Sequence, residues 1–338
     1  MKHKPTNFQN VATQITYRAY KNLKEVVTNS LSKKCLLTFI IFLLFSANNT
    51  SSFAETNLKI PAEYGEVIYQ SSEKSPNQLF IIGISHRDFF TLRNGSNTSK
   101  VQTEVYRIGD WFIHNQGVEL LLPEGFFNSG VAKSENVNPK AGYRTKSSCA
   151  DFSDTKALEE RLSDDNTYVN AEMLLKESHQ LRTDQVEDKE LYDAVSKCIV
   201  KLVNCDTNSS DLLRLKSDAD YLQERRTAAM LQKIPEIVDK EFQQGNIRSR
   251  KAILTTGLSH VSKIIEYLNS KKIAIYSPLS ISKKSEDYIA DLNLIKENFS
   301  VYIIIPRTLA NDKKVLEING LDKMMVQFRK HQSSVAAP

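Results

Sequence analysis

No apolar run in this 338-residue chain reaches the length of about 20 residues that a membrane-spanning helix needs; the run from Cys35 to Phe45 stops at eleven. Phosphate-binding loops, a dinucleotide fingerprint and a paired Cys-x-x-Cys are all missing, which removes the motif grounds for nucleotide, nicotinamide and dithiol chemistry. The Gly-x-Ser-x-Gly elbow is missing too. A serine nucleophile is disfavoured further because Ser85 and Ser259 sit beside histidines, and adjacent residues at a strand end point in opposite directions. Cysteine is scarce, with four in the chain.

The first 54 residues read as an export signal rather than as part of the fold. A basic leader ends at Lys33-Lys34, the apolar run comes next, and Ser52-Phe53-Ala54 has the small residues that signal-peptidase cleavage after Ala54 requires. Retention of this segment as a signal anchor is the alternative. The leader holds seven Lys or Arg and one Glu, so residues 55–338 carry 38 basic and 39 acidic side chains (45 less seven, 40 less one). The basic balance of the whole chain is therefore a property of the leader, and nucleic-acid binding loses its electrostatic support. The expected location is exported, periplasmic or extracellular, with membrane contact only through an uncleaved signal segment. Cys149, Cys198 and Cys205 remain, an odd number. Cys198 and Cys205 are two helical turns apart on a continuous helix, too far for a bridge without a bend, and Cys149 paired with either is at least as plausible.

What is present is a repeated phrase. Gly83-Ile84-Ser85-His86 closes the apolar run Leu79 to Ile82, and Gly257-Leu258-Ser259-His260 closes a second run that begins at Ala252. A buried strand, a glycine for a tight turn and a histidine beyond it would place each imidazole at the carboxyl edge of a sheet, where open α/β sheets hold ligands. Around the first phrase, Glu66 to Gln70 and Gln78 to Ile82 read as a hairpin joined at Ser75-Pro76-Asn77, followed by a helix from Ser99 to Asn115 and a strand from Val118 to Leu122. Around the second lie a strand from Lys251 to Thr255, a helix from Val261 to Lys271 and a strand from Ile273 to Tyr276. A helix from Glu286 to Glu297, a strand from Ser300 to Ile305 and a helix near Asp322 to His331 finish the chain.

Between the repeats, residues 126 to 149 read as a long loop. Helices are expected over Thr155 to Leu162, Val169 to Arg182, Lys189 to Val203 and Asp211 to about Gln244, the last kinked at Pro235. The expected fold is α/β, a mixed, mainly parallel sheet built from two strand-helix-strand repeats. Residues 55–338 would form one domain with a helical insertion over about 150–245.

His86 and His260 are the leading candidates, as metal ligands or as an acid and base pair. Two imidazoles on one metal call for a carboxylate and an open position. Glu124 follows a strand at the same edge and is preferred; Glu119, inside that strand, is the alternative. Arg226 shares a helix face with Met230 and Ile234, so it can project inward to hold a substrate carboxylate or orient Glu124. His114, His179 and His331 have no such context and read as surface or helix-packing residues.

In order along the chain, Leu79 to His86, Gly117 to Gly125, Glu224 to Ile234 and Lys251 to Leu268 resemble the motif blocks of the TraB and TIKI proteins, including their GumN-like members. That group is similar in turn to the ChaN and erythromycin-esterase-like superfamily. The resemblance spans most of residues 79 to 276, leaving the insertion unaccounted for. It implies that His86 and His260 are metal ligands or catalytic histidines, that Glu124 or Glu119 is their acidic partner and that Arg226 is the helix arginine. The family often has Asp or Asn after that arginine, where this chain has Thr227. The implied activity is metal-dependent hydrolysis of peptides or another small substrate, with Mn, Co or Zn as the ion; the alternative is a non-catalytic protein of the same fold that binds haem or another ligand.

Overall fold

The computed structural model describes residues 58–71, 74–85, 97–125, 154–163, 170–205, 211–270, 273–278 and 287–335. The expected signal segment, His86, the expected loop over 126–149 and Cys149 lie outside them, so the expectations for these are carried no further by the fold. The described residues form an α/β structure around a mixed, mainly parallel six-stranded sheet.

Strand β1 (Gly65–Gln70) pairs antiparallel with β8 (Ser300–Pro306). Next come β2 (Gln78–Ile84), β5 (Lys251–Gly257), β3 (Leu120–Pro123) and the two-residue β4 (Arg182–Thr183), all parallel to β8. The order is thus β1-β8-β2-β5-β3-β4. Leu79, Phe80, Ile81 and Ile82 are consecutive and fully buried, as are Ala252, Ile253 and Leu254. Such runs belong to central parallel strands covered on both faces.

The expected hairpin between β1 and β2 does not form, because β8 lies between them. The turn residues are used differently: Ser75 N donates to Ser300 Oγ at 2.7 Å, and Asn77 Nδ2 donates to the Asn298 carbonyl at 3.0 Å. They fasten the start of β8 beside β2. An apolar strand such as β2 needs a partner on each side, while β1, with its half-buried positions and a register shift at Val67/Tyr69, suits the edge.

Helix α1 (Thr98–Gln116) follows β2 and ends at Gly117, whose φ of 67° fits the left-handed cap that terminates helices. The insertion contains α2 (Thr155–Ser163), α3 (Ala171–His179), β4, α4 (Lys189–Val203) and α5 (Asp211–Gln243). Helix α3 is shorter than expected, since Arg182 and Thr183 extend the sheet instead. Helix α5 runs on past Pro235 without a break.

The second repeat departs from its outline at three points. No turn separates β5 from its helix: α6 (Leu258–Asn269) starts directly after Gly257, so His260 lies in its first turn. Neither phrase glycine is a turn glycine, since Gly257 has φ −55° and Gly83 is not among the positive-φ residues. A Cβ on Gly83 would stand 2.9 Å from Val261 Cγ2 and 3.0 Å from Leu258 Cδ1, so this glycine is there to let α6 approach β2. Thirdly, β6 (Ile273–Ile275) leaves the main sheet and pairs antiparallel with β7 (Tyr288–Ala290). The expected helix from Glu286 is replaced by β7 and the short α7 (Asn293–Asn298). Helices α8 (Arg307–Ala310), α9 (Lys313–Ile318) and α10 (Asp322–Val335) complete the chain. No helix among the described residues is long and apolar enough to cross a membrane.

Candidate active site

Three strands end at one place. Ile84, the last residue of β2, is in register with Gly257 of β5, and Pro123 of β3 is in register with Thr255. The segments leading to His86, His260 and Glu124 therefore leave the sheet side by side at its carboxyl edge. Of these, His260 and Glu124 are described, and they meet: His260 Nε2 is 3.3 Å from Glu124 Oε1, with the imidazole 1% exposed and the carboxylate 8%.

Glu124 is fixed by the end of β5. Its amide donates to the Thr255 carbonyl at 3.0 Å, and its Oε2 accepts from Thr256 Oγ1 at 2.8 Å and from the Gly257 amide. Gly257 is the N-cap of α6, so the carboxylate occupies the positive end of that helix, where negative charge is favoured. Arg226 Nη2 donates to its other oxygen, Oε1, at 2.6 Å. The inward projection read from the helix face is thus what the structure has.

Sequence reasoning missed Glu187. It lies in the insertion, directly before Asp188, which caps α4 by accepting from the Glu190 and Leu191 amides. Its side chain is fully buried and receives Arg226 Nε on both oxygens, at 2.9 and 3.0 Å, together with Nη2. Burial pushes the Glu187 carboxyl above its ordinary range, against the pull of Arg226. For Arg226 itself burial acts downward, but the bonds to Glu187 and the charges of Glu124 and Glu187 outweigh it and hold the guanidinium above its ordinary range. The signal for Glu187 was indirect: an arginine buried between core residues needs more carboxylate than Glu124 alone provides.

Thr227 and Gln223 complete the shell. Thr227 Oγ1 donates to the Gln223 carbonyl at 2.8 Å and so accepts from His260 Nδ1 at 2.5 Å. The Gln223 amide then meets His260 Nε2 at 2.9 Å, an arrangement that suits the tautomer with its proton on Nδ1 and a lone pair on Nε2. Thr227 thus orients His260 by a hydroxyl, with no added charge.

Glu119 is not part of this cluster. It precedes β3 at the amino edge of the sheet, where Oε1 accepts from Arg248 Nε and Oε2 from the Arg248 amide, both at 2.6 Å. That edge opens into a cleft of about 850 Å³ lined by Glu119, His179, Arg182 and Arg248 among others. The cleft is remote from the buried cluster, and the chemistry of the cluster, not the size of the cleft, marks the candidate active site. Asp110, His114 and His179, three donors within 4.8 Å of one another, form a possible metal-binding triad away from His260. Among the described residues, Cys198 and Cys205 form no disulfide with each other.

No family model, curated protein or solved structure matches the chain.

Proposed function

We propose that the chain is an exported metal-dependent hydrolase acting on a peptide or another small substrate, with its centre at the carboxyl edge of the sheet. The observation that carries this reading is the buried His260–Glu124 pair, 3.3 Å apart, beside the guanidinium of Arg226. The TraB/TIKI resemblance belongs to the same proposal.

The residues present fit a divalent ion in kind. His260 has Nδ1 held by Thr227 and turns Nε2 towards Glu124, which is how an outer partner orients a metal-binding imidazole. Two carboxylates and one guanidinium leave one net negative charge for a cation to balance. His260 and Glu124 would hold the ion, with His86 from the adjoining strand end as the third ligand. Bound there, a Mn, Co or Zn ion would supply an acidified water and a polarised carbonyl. The remaining work falls to the chain. Arg226 Nη1, with only contacts of 3.5 Å to Gln223 and His260, is the donor nearest to developing negative charge. Glu187 keeps that guanidinium in place, and Thr227 keeps the imidazole in its tautomer.

The second reading, a protein that binds haem or another ligand without turnover, rests on the same histidine, which Thr227 and Gln223 hold in one orientation. Peptide-library turnover with added Mn, Co or Zn separates the two. We expect hydrolysis that is abolished by His260→Ala and by His86→Ala; turnover unchanged in both variants would reject the centre. Absence of turnover together with a shifted Soret band on haem addition would establish the second reading.

A further inference from the structure

We propose that Asp110, His114 and His179 form a second, independent site for a divalent first-row cation, which fastens the carboxyl ends of α1 and α3 together at the amino edge of the sheet. Asp110 and His114 are one helical turn apart in the last turns of α1, and His179 is the last residue of α3. The set of two imidazoles and one carboxylate is one that first-row transition ions accept, with further positions left for water.

The spacing is already close to that of a bound ion. Asp110 Oδ1 lies 3.0 Å from His179 Nε2 and 3.4 Å from His114 Nδ1. Ligands at about 2.1 Å around a tetrahedral zinc stand roughly 3.4 Å apart. All three donor atoms lie within 4.8 Å of one another, and the two rings sit edge-to-face with centroids 5.3 Å apart. The remaining adjustment falls on His114, whose side chain is 63% exposed and free to turn. Its Nδ1 now meets the Asp110 carbonyl at 2.9 Å, a bond that coordination through this nitrogen would replace.

His179 gives the second argument. Its Nε2 is shut off from solvent and is paired with Asp110 Oδ1 at 3.0 Å. A cation between this nitrogen and the carboxylate would be bound by both and would take the place of the proton that they share. Both helices end here, α1 at Gly117 and α3 at the left-handed Gln180, so both negative helix ends favour a cation. The exposed His114 leaves a route of entry.

The full chain, stripped with EDTA, would be titrated with Co(II) followed by its visible absorption, and with Zn(II) by calorimetry. We expect bound metal to fall by one ion, or its affinity to drop by at least about 10-fold, in both His114→Ala and His179→Gln. His114→Ala removes an exposed ring and should fold normally, which circular dichroism checks. His260→Ala should leave this ion in place, so the outcome does not depend on the carboxyl-edge proposal. Failure of the parent protein to bind either ion, or equal stoichiometry and affinity in the parent and His114→Ala, would overturn the second site. Loss of the signal in His260→Ala alone would overturn it as well.

Discussion

Arg226 concentrates the energetics of the site in one side chain. Its guanidinium binds Glu124 and Glu187 while lying over the Tyr192 ring at 5.1 Å, and none of the three charged groups is more than 8% exposed. Removing one member of a buried ion network leaves the others charged and unpaired, at a cost of about 3–5 kcal/mol. Arg226→Leu should therefore lower stability by about that amount, with Glu187→Gln in the same chain recovering part of it; urea unfolding of the single and double variants measures both. Losses of the two single variants that simply add in the double variant would mean that the two residues are not coupled. At this scale the sequence is partly legible. Arg226 is marked by its helix face and Glu124 by its strand end, because both signals are local. Glu187 is not, since only the fold brings it to an arginine 39 positions away.

Among the elements, the packing of α6 on the centre of the sheet decides where the site can be. Gly83 of β2 admits Val261 and Leu258 of α6, which sets the first turn of that helix, and with it His260, against the strand ends. Gly83→Ala should push α6 away and cost about 1–3 kcal/mol, as overpacking of a tight contact does. Thermal unfolding measures the loss; an unchanged melting temperature would show that the neighbouring side chains yield without cost. The repeated phrase is visible in the chain, but its physical meaning is not. Its glycines read as turns in the sequence, whereas one is a close-packing position and the other a helix cap. A glycine is silent about which of these it serves until its neighbours are known.

Across the described residues, carboxyl groups are shifted in opposite directions. At the amino edge, partial burial pushes the Glu119 carboxyl up, but the bonds to Arg248 outweigh it and hold it below its ordinary value of 4.5. Just after β4, Asp184 is likewise held below 3.8: burial raises it, and the Gln185 amide and Lys240 more than compensate. A carboxylate lowered in the fold stabilises it above the unfolded value, and that contribution disappears as pH falls through the lowered folded value. Glu119→Gln should thus flatten the loss of stability below pH 4.5 while changing little near neutrality apart from the lost pair. Denaturant midpoints across the acid range would show it, and parallel pH profiles for the parent and the variant would count against it. At the carboxyl edge Glu187 is raised instead, so acid acts on it with the opposite sign.

The sequence by itself determined the segments and their faces: the buried runs of β2, β5 and β8, the apolar stripe of α5, the strand that delivers Glu124, and the mainly parallel α/β class. These arise from periodicity and composition, which act over a few residues. Tertiary structure alone decided that β8 enters between β1 and β2, that the insertion supplies Glu187, that Thr227 orients His260 and that Asp110, His114 and His179 meet. Each of these depends on which distant surfaces bury one another, and that is set by the packing of the whole core rather than by any local pattern.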